Sequence, residues 1–207
     1  MKIIGLYSGS ESRIGPKNAP TGIFKQLQSQ VVITALGIEG DIQVDKRVHG
    51  GPEKALHQYA HRGYEKIIKR FALMHNKALP GTLGENISAT MMHDHNVCIG
   101  DIYQIGEVVL QVSGPRIPCW KIGAKFNQHD LPAFIRQHQI TGWYYRVLAC
   151  GTIGLGEEII LCERANEGLS IAHFMATLDE ANADPMGLTQ LSCAQGLDPQ
   201  WKAKLSQ

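Results

Sequence analysis

The chain has 207 residues, of which 43% are hydrophobic, and a formal net charge of +1. That length is enough for one sizeable domain, or one domain with a small appendage, and for a core that needs no covalent staples. The near-zero charge excludes partners recruited by overall electrostatics, so neither a nucleic acid nor a membrane surface is expected.

In chain order, the opening run Met1 to Tyr7 turns polar at Ser8 and is too short for a signal-peptide core. No stretch approaches the length of a transmembrane helix, so a soluble, cytoplasmic protein is expected. Val31 to Leu36 reads as a buried strand stopped by Gly37. Tyr64, Ile67, Ile68 and Phe71 recur at helical spacing and predict a helix over 64–71. Ile102 to Ile105, a turn at Gly106-Glu107 and the alternating run Val108 to Ser113 read as two strands, the second entering a loop at Gly114-Pro115. Leu131 to Gln137 reads as a helix behind a capping Asp130, with Pro132 in its first turn. Ile153 to Leu161 reads as one late strand. Many short strands with turn signals between them predict a mainly β fold with some α, a barrel or strongly bent sheet.

After Arg164 the pattern becomes helical. Ser170, Asp184-Pro185 and Asp198-Pro199 each read as the start of a short helix. The expected division is a domain over 1–165 and a three-helix appendage over 166–207. In that appendage five acidic residues stand against two lysines, Lys202 and Lys204, the wrong balance for a DNA-binding helix-turn-helix.

Five cysteines, an odd number, occur with no C-x-x-C pair, which argues against a disulfide framework and a zinc ribbon. Reduced thiols are expected, and most such cysteines are small buried hydrophobes. Cys119 differs in context: it sits in a loop with Pro115 and Pro118, between Arg116 and Lys121. Positive neighbours favour the thiolate, the form that ligates a soft metal or attacks as a nucleophile. The alternative is a buried Cys beside Trp120 with Arg and Lys in solvent. Two glycine-bearing segments are further candidates. His49-Gly50-Gly51-Pro52 can turn backbone amides toward an anion. Gly81-Thr82-Leu83-Gly84-Glu85-Asn86 gathers a carboxylate and an amide able to bond a ligand. Each also reads as an ordinary tight turn. His93-Asp94-His95 resembles a fragment of a metal cluster, yet no second cluster completes it.

Taken in order, several segments resemble the MOSC domain, named for the C-terminal region of molybdenum cofactor sulfurases, and within it the bacterial YiiM type. They are Gly37-Ile38-Glu39-Gly40-Asp41, His49-Gly50-Gly51-Pro52, Ala55-Leu56-His57-Gln58-Tyr59, Gly84-Glu85-Asn86, Gly100-Asp101, Ser113-Gly114-Pro115-Arg116-Ile117-Pro118-Cys119 and Gly142-Trp143-Tyr144. The tail from about Ser170 is similar to the three-helix appendage of that type. Ile117 and Trp120 depart from the residues more usual in that loop, which bears on the substrate pocket and not on the metal ligand.

The resemblance implies a MOSC β-barrel-like domain and a molybdenum–pterin cofactor with Cys119 as the metal ligand. It places Lys25, Gly50, Gly51, Glu85, Asn86, Arg116 and Lys121 around that cofactor, Lys25 toward its phosphate. Cys119, His49 and His57 are the catalytic candidates, the histidines as proton donors because imidazole titrates near neutral pH. The implied activity is reduction of N-hydroxylated compounds such as N-hydroxylated purine bases. Electrons would come from a separate reductase, since no flavin, haem or iron–sulfur motif is visible. A persulfide carrier acting through Cys119, or a non-catalytic cofactor-binding module, are the alternatives. A homodimer is compatible with the sequence.

Overall fold

The computed structural model describes residues 1–180 and 185–206. The first half of the chain forms β1 (Ile3–Ser8), β2 (Ser12–Ile14), β3 (Ala19–Thr21), β4 (Gln26–Gln28), β5 (Gln30–Thr34), β6 (Gly37–Ile38), α1 (Lys46–His49), β7 (Leu56–Gln58), α2 (His61–Arg70) and β8 (Ile87–Ala89). The second half forms β9 (Ile102–Ile105), β10 (Val108–Pro115), α3 (Trp120–Phe126), α4 (Leu131–Gln137), β11 (Trp143–Ala149), β12 (Gly151–Gly154), β13 (Ile160–Glu163), α5 (Ile171–Asp179), α6 (Pro185–Ser192) and α7 (Pro199–Leu205). Eight strands make one sheet in the order β13-β9-β10-β11-β7-β8-β1-β4, curled into a half-barrel. Neighbours are antiparallel except β7 and β8, which run parallel and are joined through α2. A smaller sheet, β12-β5-β6, and a β2–β3 ribbon complete the strands.

The sheet curls around alternating apolar side chains. Val108, Leu110 and Val112 of β10 point inward and are almost wholly buried. The same core takes in Leu169, Ile171 and Phe174 around α5 and Leu191, Ala194 and Leu197 near α6 and α7. Each such aliphatic or aromatic side chain contributes roughly 1.5–3 kcal/mol when fully buried, so the tail is held by the core itself. Gly114 allows a close approach: a Cβ there would stand 3.0 Å from the indole of Trp201 on α7. A second apolar cluster, including Tyr59, Tyr64, Ile67, Leu83, Ile122 and Leu131, packs α2, α3 and α4 together.

The helices begin where the caps predict. Ser170 Oγ accepts from His173 N at 3.1 Å, and Asp198 Oδ1 accepts from Gln200 N at 2.8 Å. Asp184, the expected cap of α6, lies outside the described residues. Asp130 precedes α4 but its side chain makes no cap hydrogen bond. The helix predicted from Tyr64 starts earlier, at His61.

Three strand expectations need correction. Ile153 to Leu161 is not one strand: β12 pairs with β5 and β13 pairs with β9, in different sheets, with a turn at Leu155-Gly156 between them. The strand expected over 31–36 ends at Thr34. Gly37 does not stop it but opens β6 beyond a two-residue turn. The strand expected to leave for a loop at Gly114 stays paired through Pro115. Among the described residues, no helix is long and apolar enough to cross a membrane.

Candidate functional site

A cleft of about 650 Å³ opens beside the loop that follows β10. Its walls come from the segment after β3, the stretch 41–49, β7, the turn at 83–86, the 116–121 loop and β11. Of the residues singled out in the sequence, Lys25, His49, His57, Asn86, Arg116, Cys119 and Lys121 line it. These positions are separated by up to ninety-six residues in the chain, and the curl of the sheet brings them together.

Cys119 is half-buried and immediately precedes α3, in extended conformation. The loop that carries it leaves β10 with its path fixed by Arg116 N, which donates to Gly142 O at 3.0 Å. Arg116 itself is 6% exposed, so the reading in which its guanidinium lies in solvent does not hold. Trp120, by contrast, is half-exposed and packs over the Gly15 turn, and α3 behind it was not anticipated. Lys121 Nζ donates to Pro20 O at 2.8 Å and Lys125 Nζ to Thr82 O at 2.6 Å, so α3 ties the cleft's outer segments to the Cys119 loop.

Both catalytic histidine candidates are neutral at neutral pH. Burial pushes His49 down to about 4, with the charges of Arg116 and Lys121 adding to it. Burial also holds His57 well below the usual imidazole range, helped by Arg116. This corrects the expectation of histidines titrating near neutrality: a proton on either ring would sit buried among cations. His49 Nδ1 lies 2.9 Å from the hydroxyl of Tyr144. His57 faces Tyr144 across the β7–β11 pairing, with ring centroids 5.5 Å apart. His57 Nε2 is buried without a hydrogen-bond partner among the described residues. Burial raises the Tyr144 hydroxyl to about 12, so it stays a neutral donor and acceptor.

The opposite wall is built differently. Lys25 Nζ sits 2.7 and 2.6 Å from the two carboxylate oxygens of Asp41, both side chains 5% exposed. Asp41 also accepts from Asn86 Nδ2 at 2.8 Å and from Gly9 N at 2.8 Å. Asn86 spends the rest of its side chain on Tyr7 O at 3.1 Å and His57 N at 3.1 Å. Lys25 is therefore an ion-paired lysine and not a free cation, and Asn86 ties β1, β7 and β8 together.

Glu85 and the glycine pair take places apart from the cleft lining. Glu85 is wholly buried, and its carboxylate accepts from Tyr64 Oη at 2.5 Å, Gly81 N at 2.6 Å and Leu83 N at 3.1 Å. It holds the 81–85 turn in shape from behind. Gly51 has φ 86°, which explains glycine there, and its N–H is taken by Gln43 Oε1 at 3.1 Å. The Gly51 amide is thus taken by a side chain of the protein. Gln43, which also donates to Leu36 O and Ala55 O, carried no signal in the sequence. Nor did Tyr144, at the end of the Gly142-Trp143-Tyr144 segment, or Lys54, between the glycine turn and the Ala55 segment. His93 and His95 stand with ring centroids 6.2 Å apart, and the described residues contain no group of three or more His, Cys, Asp or Glu placed to hold a metal ion.

Comparison with known proteins places this geometry. The MOSC domain profile matches residues 45–160, which include the glycine turn, His57, Arg116, Cys119 and Tyr144. The chain belongs to the MOSC domain family. It is 31% identical over 199 residues to "Protein YiiM" of Escherichia coli (strain K12), covering 96% of this chain and 88% of that one. It is 36% identical over 165 residues to a protein named "Reductase" from Gibberella moniliformis, covering 78% of this chain but only 29% of that longer one. Among solved structures, YiiM from Geobacillus stearothermophilus superposes with a TM-score of 0.82 at 26% identity, over 99% of this chain and 97% of that one. The chain is thus a YiiM-type MOSC protein.

Proposed function

We propose that this MOSC protein is a molybdenum-cofactor-dependent oxidoreductase that reduces N-hydroxylated compounds, N-hydroxylated purine bases among them, with electrons from a separate reductase. The observation that carries the reading is the convergence of one half-buried thiol, the cations Arg116 and Lys121, and an unpartnered buried His57 Nε2 on one cleft. The residues fit the group: a thiolate is a soft ligand, and the two cations match an anionic phosphate. Membership of the MOSC family, and the relative named as a reductase, point the same way. When bound, the cofactor supplies the redox chemistry, and the protein supplies binding and electrostatics.

Cys119 would hold the metal, and Arg116 and Lys121 would face the cofactor's negative charge. His57, neutral and with a free ring nitrogen, would hydrogen-bond the substrate's N–OH or the oxygen that leaves it. His49 and Tyr144, already bonded to each other, would orient that side of the cleft. Lys25, Asp41 and Asn86 act by keeping the opposite wall rigid.

Metal analysis tests the reading on protein purified from a molybdate-fed host that makes the cofactor. Near-stoichiometric molybdenum in the wild type, lost in Cys119→Ser, is expected, followed by turnover of an N-hydroxylated base with a reductase added. A wild type without molybdenum from that host would sink the proposal. Sulfane sulfur on Cys119 after incubation with a cysteine desulfurase would replace it with sulfur transfer.

A further inference from the structure

Lys54 lies at a junction that the proposed chemistry does not use. It belongs to the 3₁₀ turn Pro52–Lys54, directly after the glycine pair, and its side chain is 10% exposed. It lines the cleft that holds Cys119. It also lines a second cavity of about 320 Å³, whose other walls are Pro115, Ile117, Asp198, Gln200, Trp201 and Lys204. Lys54 is therefore the partition between the two spaces. Its ammonium lies 2.9 Å from Gln200 Oε1 and 2.9 Å from Asp198 Oδ2. Asp198 is 1% exposed. Only the Gln200 contact is a hydrogen bond; the Asp198 contact is an ion pair without hydrogen-bond geometry, so an ammonium with three donors keeps capacity for a ligand in the cleft.

The turn that carries Lys54 is fastened to the C-terminal helices by further bonds. Ser113 Oγ donates to Glu53 O, Glu53 pairs with Arg146, and Arg146 Nη1 donates to Gly196 O at 2.8 Å. Asp198 N donates to Ser113 O at 2.8 Å. The backbone around Lys54 and the carboxylate that faces its charge are thus fixed relative to each other. What remains adjustable is the ammonium at the end of its flexible stem.

We infer that Lys54 is an anion-binding residue of the Cys119 cleft and that Asp198, through its ion pair with Lys54, sets how much of that positive charge the cleft presents. Asp198 is a positioning residue: it touches Lys54 and not the ligand. The C-terminal appendage, which lies beyond the matched family region, thereby tunes the affinity of the cleft for a phosphate-bearing ligand. The inference rests on the reading that this cleft takes an anionic group.

The test uses inorganic pyrophosphate as the probe, on the full-length protein. Pyrophosphate is titrated against the rate of Cys119 alkylation by iodoacetamide, followed by peptide mass spectrometry so that the other cysteines do not interfere. Four proteins are compared: wild type, Lys54→Gln, Asp198→Asn and the double variant. Lys54→Gln removes the charge but keeps a donor toward Asp198, which protects the fold, and melting temperatures confirm it. Half-protection of the wild type should need at least tenfold less pyrophosphate than Lys54→Gln. Asp198→Asn should protect at about threefold lower concentration than wild type, because the carboxylate no longer offsets the ammonium. In the Lys54→Gln background the same Asp198 change should have no effect. Equal protection in all four proteins would overturn the inference while leaving an anion-binding cleft in place. An Asp198 effect of the same size in both backgrounds would overturn the coupling. No protection in the wild type would overturn both the inference and the anionic ligand, whereas absent molybdenum with intact protection would overturn only the proposed reaction.

Discussion

On one wall of the cleft, Lys25, Asp41 and Asn86 bond to one another and to the backbone of Tyr7, Gly9 and His57. On the other, Cys119 is half-exposed, His57 Nε2 has no partner among the described residues, and Arg116 and Tyr144 crowd around two neutral imidazoles. Both walls carry the polar residues that a ligand site needs. They differ in whether those polar atoms are already spent. A saturated network rigidifies a fold, while an unpaired buried atom costs stability unless something else uses it. On the proposed function, that difference reads as architecture in the first wall and chemistry in the second.

The largest effect should come from the residue that lies furthest from solvent behind the first wall. Glu85→Ala would leave Tyr64 Oη, Gly81 N and Leu83 N without their acceptor in a dry interior. A loss of about 3–5 kcal/mol is expected by urea denaturation. A loss under about 1 kcal/mol would mean that Glu85 is held for a ligand and not for the turn. Asn86→Ala should follow, at about 2–4 kcal/mol, because it deletes bonds to three different segments at once. Retained stability in Asn86→Ala would move Asn86 to the functional wall and undo the contrast.

That contrast marks the limit of what could be read from residues alone. The strands over 102–105 and 108–113, the helix 131–137 and the caps at Ser170 and Asp198 were legible, since period and cap chemistry are local. The assembly of Lys25, His49, His57, Asn86, Arg116, Cys119 and Lys121 around one cleft came from the ordered resemblance to the MOSC family, not from spacing. What no local pattern carries is a side chain's partner. Lys25 looks like a free cation until Asp41 is placed 2.6 Å away, and Glu85 looks like a ligand residue until Tyr64 and two amides surround it. The split of 153–161 into strands of two sheets was hidden for the same reason, because both pieces are apolar and only long-range pairing separates them.

A pH experiment sharpens the comparison at a third site. Burial raises the Asp94 carboxyl to about 6, against which Gly142 N, donating at 2.8 Å, pulls it down. A carboxyl whose folded value lies above its unfolded one contributes stability that is full at low pH and is lost as pH rises through about 6. His49 has the opposite sign: its folded value of about 4 lies below 6.5, so its contribution is full above 6.5 and is lost as pH falls toward 4. In wild type the two partly cancel between pH 4.5 and 7.5. Asp94→Asn removes one of them, so the variant should lose stability on acidification more steeply than wild type. The wild-type advantage at pH 4.5, relative to that at pH 7.5, should be about 2 kcal/mol. Parallel pH curves for the two proteins would show that Asp94 is not held protonated by its burial.

The smallest effect on stability should come from the residue expected to matter most for function. Cys119 precedes α3 without capping it through its side chain, and it is a half-buried residue of the cleft lining. Cys119→Ser changes a half-buried sulfur to a hydroxyl of similar shape, so the change in unfolding free energy should stay within about 0.5–1 kcal/mol. Molybdenum retention should nevertheless fall to background, since a neutral hydroxyl replaces a soft thiolate ligand. A variant that binds as much metal as wild type removes Cys119 from the functional wall. One that loses several kcal/mol would instead place the cysteine with Asn86 and Glu85, among residues whose atoms the fold has already committed.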